Sequence, residues 1–145
     1  MATVADLLKV KGDHVFWIPT SASVKEALVL MAEKDVGALP DLSNKELSGI
    51  FSERDFARLL AKKDAFPLDT KIEDVMTKNL FTVTTDTHIE ECMQLMTEKH
   101  IRHLPVLTKN KLVGLISIGD VVKAIISSQK SFIDQLEGYI SGRRF

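Results

Sequence analysis

Two short strings hold the residues best suited to chemistry: GIFSERD, Gly49 to Asp55, and GLISIGD, Gly114 to Asp120. Each ends an apolar run with a hydroxyl and, three positions on, a carboxylate. Ser52 and Ser117 at a helix start can accept a hydrogen bond from a first-turn N–H, worth about 1 kcal/mol. Asp55 and Asp120 in that same turn suit the positive end of the helix dipole. The same geometry can also hold a ligand. A helix N-terminus presents unpaired N–H groups and partial positive charge, which favours phosphate. A carboxylate there repels phosphate and must face something else. An ionised Asp accepts several hydrogen bonds, which matches the two adjacent hydroxyls of a ribose, with Ser turned to the ribose edge or the phosphate.

The residues around the two motifs differ. The first has Glu53-Arg54 where the second has Ile118-Gly119. Before a Leu-Pro pair the second half has His100, Arg102 and His103, and the first half has Asp35, Gly37 and Ala38. Arg54 and Arg102 can each grip phosphate oxygens through a bidentate fork. His103 can add a donor that is weakly charged near neutral pH. Arg54 reads equally well as a solvated first-turn residue, and His100 reads as a favourable charge at a helix C-terminus. Catalytic chemistry finds little support. There is no GxxxxGK[ST] loop, and His14, His88, His100 and His103 lack metal-ligand spacing. Cys92 falls on an apolar helical face. The expectation is a protein that is not an enzyme, with no metal and no catalytic cofactor.

The chain has 145 residues, enough for one domain or two small repeats sharing a core. A formal charge of −1 argues against general nucleic-acid binding. A single cysteine excludes an intramolecular disulfide framework. No apolar run approaches the roughly 18 residues of a membrane span. The amino terminus has neither a secretory core nor arginine-rich transit character. The expected compartment is reducing and cytoplasmic, with a processed organellar form as the alternative.

The elements that must position the motifs occur twice. The register shift that carries Gly49 onto Gly114 also carries Leu39-Pro40 onto Leu104-Pro105 and Glu33-Lys34 onto Glu98-Lys99. Each unit reads β-α-β-β-α. A first strand, VFWI (15–18) or LFTV (80–83), precedes a helix opened by Ser23-x-x-Glu26 or Thr87-x-x-Glu90, both capping-box patterns. Two apolar runs joined by SNKE or TKNK predict a hairpin, and a second helix starts at Ser-x-x-Asp. Short helices, VADLLK (4–9) and IEDVMT (72–77), precede the units. The divisions are repeat 1 over 3–63, a linker over 64–70, repeat 2 over 71–127, and an amphipathic helix and tail over 128–145. That tail helix carries Phe132, Leu136, Tyr139 and Ile140 on one side. Asp41 stands where the second half has Val106; a buried unpaired carboxylate is costly, so it is expected at an edge or paired.

Tandem units ending in G-h-x-S-x-x-D, with h apolar, resemble paired cystathionine-β-synthase-type (CBS) domains, the Bateman module. The strings SERDFARLL, MTEKHIRHLPVL and LVGLISIGDVVKAII are similar to those of stand-alone members, and the resemblance covers about residues 3 to 127. It implies an α+β fold: two β-α-β-β-α repeats packed sheet to sheet with pseudo-two-fold symmetry, plus a C-terminal helix. It implies an adenosine ligand (AMP, ADP, ATP or NAD) in clefts between repeats, a homodimer, and regulation of an unknown protein partner without a membrane role. By resemblance, adenine would lie against Phe16, Trp17 and Ile18 with Ala38, Leu39 and Pro40 in one site. In the other it would lie against Phe81, Thr82 and Val83 with His103, Leu104 and Pro105. With Ser52, Arg54, Asp55, Ser117, Gly119, Asp120 and Arg102, these are the candidate binding residues. The rival reading is a ligand-free interaction or dimerisation scaffold whose motifs are only caps. A third, ranked last, is single-stranded nucleic-acid binding through Arg102, His103 and Arg143-Arg144.

Overall fold

Each repeat is built around a β-hairpin whose turn takes the left-handed backbone region. A two-residue turn matches strand twist best when both central residues have positive φ. Asn44 and Lys45 (φ 50° and 67°) and Lys109 and Asn110 (φ 51° and 64°) meet that requirement. The computed structural model describes residues 2–12, 14–62 and 67–140. The linker residues 64–66 and the end of the tail, with Arg143-Arg144, lie outside the described residues.

The element order is α1 (Val4–Lys11), β1 (Ile18–Pro19), α2 (Val24–Lys34), β2 (Ala38–Ser43), β3 (Glu46–Ser52), α3 (Glu53–Lys62), a 3-10 turn (Ile72–Asp74), α4 (Ile89–Lys99), β4 (His103–Thr108), β5 (Lys111–Ser117) and α5 (Ile118–Ile140). The hairpins are β2–β3 and β4–β5, each antiparallel. They share one irregularity: the register slips between Asp41 and Leu42 in the first and between Val106 and Leu107 in the second. Duplication thus extends to the bulge, which bends both hairpins at matching places. β3 and β5 lie against each other, bringing the two sheets together.

Several expected elements are shorter or shifted. The first strand of repeat 1 is only Ile18–Pro19, parallel to β2. In repeat 2 it is a single bridge, Val83 to Val106. Phe16, Trp17, Phe81 and Thr82 therefore lie outside the ladder. The N-cap of α2 is Ser23 as expected, its Oγ accepting from the Glu26 N–H at 3.1 Å. The N-cap of α4 is His88 rather than Thr87 and offers no side-chain cap; Thr87 Oγ1 instead accepts from the Thr84 N–H at 3.1 Å. The helix predicted over 72–77 is one 3-10 turn. The tail helix is continuous with α5, because no Pro or Gly interrupts the chain between Asp120 and Gln135. On α5, Phe132, Leu136, Tyr139 and Ile140 are exposed.

The two cores reveal an exchange. One contains Ile89, Cys92, Met96, Leu104, Val106, Ile116 and Val121 of repeat 2 together with Val4 and Leu7 of α1. The other contains Ile18, Ala22, Val24, Ala27, Met31, Leu39 and Phe51 of repeat 1 together with Ile72 of the 3-10 turn. The segment that precedes each repeat thus packs into the other one. Backbone bonds fix it there: the Val4 N–H donates to Thr87 O at 2.8 Å, and the Ile72 N–H donates to Ala22 O at 2.8 Å.

This exchange explains the glycine that opens each motif. A Cβ on Gly114 would sit 2.9 Å from Leu8 Cδ2 of α1. A Cβ on Gly49 would sit 2.6 Å from Met76 Sδ and 2.8 Å from Thr77 O. Thr77 is itself clamped to Ile50 by two backbone bonds, of 3.0 and 2.9 Å. Gly49→Ala is therefore expected to cost about 2–3 kcal/mol, since backbone must move. Gly114→Ala should cost about 1 kcal/mol, since the end of a leucine can shift. Urea unfolding of the two variants checks the order; equal costs would contradict this packing.

Candidate functional site

Both Ser-x-x-Asp motifs form reciprocal caps. The Asp55 N–H donates to Ser52 Oγ at 3.0 Å and the Ser52 N–H donates to Asp55 Oδ2 at 3.0 Å. The corresponding distances for Ser117 and Asp120 are 3.1 and 2.8 Å. The chain enters each helix the same way, with the Glu53 N–H donating to Gly37 O and the Ile118 N–H to Arg102 O. Aspartate here does what glutamate does in an ordinary capping box. One carboxylate oxygen is committed to the backbone, leaving the other for a ligand.

A cleft of about 460 Å³ opens beside Ser52 and Asp55. Repeat 1 supplies Gly37, Ile50, Ser52, Glu53, Arg54, Asp55 and Arg58; the other wall comes from Thr77, Asn79, Leu80, Phe81 and Lys99 to His103. Ser52 and Asp55 share a cleft with Phe81, Arg102 and His103 of the other repeat, whereas Phe16, Trp17, Ile18, Ala38, Leu39 and Pro40 do not line it. Arg54 spans the cleft, its Nη1 donating to His100 O at 3.4 Å. That carbonyl ends α4 in the left-handed conformation (φ 55°), so the pair ties the start of one helix to the end of another.

The remaining candidates fall in several places. The side chains of Ile18, Ala38, Val83 and Leu104 are in the core, with Leu39, Pro40 and Pro105 buried beside them. Thr82 lines a separate recess with Glu46, Ser48, Lys78 and Asn110 near the hairpin turns. Phe16 and Phe81 occupy matching places, each with a lysine over its ring: Lys34 at 5.3 Å and Lys99 at 5.4 Å. His14 also meets Phe16 edge-on at 4.7 Å. Gly119 follows the second cap, where a Cβ would meet only Ser117 Oγ, at 3.7 Å.

Sequence spacing pointed to Arg54 and Arg102 but missed Arg58, Lys99 and Asn79. Arg58 was legible as the residue one helical turn after Arg54. Lys99 and Asn79 carried no signal without the tertiary fold. Four cations (Arg54, Arg58, Lys99, Arg102) and two carboxylates (Glu53, Asp55) line the cleft, so it favours an anion. His103 stands between the two motifs. Burial holds its pKa below the ordinary value, Lys11 and Arg102 push the same way, and Asp120 and Asp55 pull back. Among the described residues no cluster of three His, Cys, Asp or Glu side chains could hold a metal. No helix there is long and apolar enough to cross a membrane.

The second motif differs in one contact. Lys11 Nζ of α1 donates to Asp120 Oδ2 at 2.6 Å and to Leu115 O at 2.6 Å. Burial opposes ionisation of Asp120, but Lys11 and the Ser117 N–H and hydroxyl outweigh it and hold the carboxyl below its usual range. Among the described residues the first half has no comparable ion pair. Instead it has Asp41, fully buried on the central strand of its sheet, with neither carboxylate oxygen hydrogen-bonded. The expectation that Asp41 sits at an edge or in a pair is therefore overturned. Its backbone is held between Ile18 and Gly49, which leaves the side chain in the space Val106 fills in repeat 2. Burial, reinforced by the Asp55 charge, pushes its pKa up to about 7.

Residues 3–62 and 72–127 each match the family model of the CBS domain. The chain is similar to the CBS domain-containing protein CBSX3, mitochondrial, of Arabidopsis thaliana, with 36% identity over 97% of this chain and 72% of the relative. Among solved structures, the crystal structure of the CBS domain NE2398 aligns with a TM-score of 0.82 and 42% identity, over 87% of this chain and 99% of that one. The CBS domain pair of protein MJ0100, solved with 5′-methylthioadenosine and S-adenosyl-L-methionine, shares the fold at a TM-score of 0.77 and 22% identity, over 88% and 98% of the two chains.

The Asp41 carboxyl gives a sign to the pH dependence. Its folded pKa, about 7, lies above the ordinary 3.8, so the folded state binds more protons than the unfolded state between those values. Its stabilising contribution is complete below pH 3.8 and lost as pH rises through 7. Asp41→Asn removes that loss. The variant's stability advantage over the parent is expected to grow by about 2–3 kcal/mol between pH 5 and pH 8. Denaturant unfolding at both pH values measures it, and a constant difference would show that the carboxyl is not held neutral.

Proposed function

The chain belongs to the CBS-domain family as a tandem pair, and from that premise we propose that it is a regulatory module that binds an anionic adenosine nucleotide in the Ser52–Asp55 cleft. The observation that carries this reading is the charge and construction of the cleft, whose four cations come from both repeats. Asp55 has one oxygen free of its cap to accept from a ribose hydroxyl. Arg54, Arg58 and Arg102 are placed to take phosphate oxygens, and Phe81 offers an exposed ring on which a base can stack. The surplus of cations favours AMP, ADP, ATP or NAD over a sulfonium ligand such as S-adenosylmethionine. The MJ0100 pair was solved with adenosine-based ligands, which supports the class. A regulatory role is supported by the paired CBS domains and by a cleft of fixed charges built beside a helix cap.

A ligand touching both walls favours the arrangement of the repeats that it fits best, by its difference in affinity between arrangements. The outer surface that reports this change includes α5. Phe132, Ile133, Tyr139 and Ile140 are all more than half exposed, an apolar stripe that favours association of two copies. The same stripe favours the second reading, a dimerisation scaffold that needs no ligand.

Thermal unfolding with AMP, ADP, ATP, NAD and S-adenosylmethionine separates the two. Nucleotide at 100 times its dissociation constant should add about 2.7 kcal/mol, and ATP or ADP should stabilise more than S-adenosylmethionine. Arg58→Ala, which removes no cap, should weaken ATP roughly ten- to hundredfold with the ligand-free midpoint almost unchanged. If no adenosyl compound shifts the midpoint, the scaffold reading replaces this one.

A further inference from the structure

We propose that Lys11 is a built-in occupant of the second Ser-x-x-Asp motif, so that each chain takes one nucleotide, in the Ser52–Asp55 cleft, and not two. This rests on the nucleotide reading above and concerns how many of the two motifs answer to ligand.

The caps of the two motifs use the same atoms, and one of the differences around them falls on the second carboxylate. The register shift that superposes Ser52 on Ser117 and Asp55 on Asp120 places Met76 where Lys11 stands. Met76 turns its thioether onto Gly49 and brings no charge to Asp55. Lys11 sends its ammonium to Asp120 Oδ2 and to the Leu115 carbonyl, both at 2.6 Å, forming an ion pair in which Asp120 is only 21% exposed. Asp120 Oδ2 thus already accepts from the Ser117 N–H and from a cation, and its charge is neutralised within the chain. A ribose diol arriving there finds only Oδ1 open, on a carboxylate whose charge is already paired. To engage Oδ2 as well it would have to displace the ammonium, exchanging a charge-assisted hydrogen bond for a neutral one. Such an exchange weakens binding roughly ten- to hundredfold relative to the open motif.

The exchange of leading segments makes this possible. Because α1 packs into the core of repeat 2 through Val4 and Leu7, its last turn is delivered to Asp120, and Lys11 has a fixed anchor. The 3-10 turn that enters repeat 1 is followed by Met76 and leaves Asp55 exposed to the cleft.

Isothermal titration of the full chain with ATP tests the inference. The parent is expected to bind one ATP, weakened roughly ten- to hundredfold by Arg58→Ala. Lys11→Met, which copies the first half, should bind two, the second removed by adding Asp120→Asn. Lys11→Gln provides the same test with a polar stem if the Met variant fails to fold. Two equivalent sites in the parent, or one site in both Lys11 variants, would overturn the role of Lys11 and leave the nucleotide reading standing. Absence of binding by parent and variants alike would overturn both. Binding only in the variants would uphold the lysine as occupant but move the nucleotide away from the Ser52–Asp55 cleft.

Discussion

The packing of each leading segment into the opposite repeat is the constraint on which the rest of the molecule depends. Val4 and Leu7 complete the core behind β4 and β5, and Ile72 completes the core behind β2 and β3. Neither repeat has a finished core without a piece of chain that lies before the other in sequence. A unit of about 60 residues buries too little apolar surface to be secure alone, and the exchange supplies the missing surface while tying the halves together. The motif glycines, the contact between β3 and β5 and the position of Lys11 follow from it.

The cleft inherits its character from that arrangement. Its walls come from two repeats, so its electrostatics are a sum over residues far apart in the chain. Arg54 reaches His100 O across 46 positions of sequence, and His103 feels both Asp55 and Asp120. Pseudo-symmetry makes the two Ser-x-x-Asp caps alike at the backbone and lets side chains set them apart. In one half a carboxylate lines an open groove together with arginines; in the other it is paired with a lysine. Asp41 adds a further asymmetry, a buried carboxyl where its counterpart is a valine.

The duplication was legible because hydrophobic period and turn chemistry are local properties. The hairpins, α2 and the starts of α3 and α5 could be placed from Ser23, Ser52, Ser117 and the turn residues Asn44 and Asn110. Local signals misled where two candidates compete over adjacent positions. Thr87 has better cap chemistry than His88, yet the chain path beside Ala2 and Thr3 makes His88 the cap. The runs VFWI and LFTV have strand composition, but only Ile18–Pro19 and Val83 reach a neighbouring strand in register, because strand pairing needs a partner edge and propensity does not provide one.

By itself, the sequence determined the family, the paired β-α-β-β-α plan and the two caps, since all rest on residues within one helical turn or one hairpin. Only the tertiary structure decided which walls face which motif, that α1 serves repeat 2, and that Lys11 lies on Asp120. Those outcomes depend on which apolar stripe completes which core, a comparison of free energies between distant segments that no short window of sequence contains. The burial of Asp41 belongs with them: its place on the central strand is set by Ile18 and Gly49 as neighbours, and the cost of that carboxyl is met by the fold as a whole.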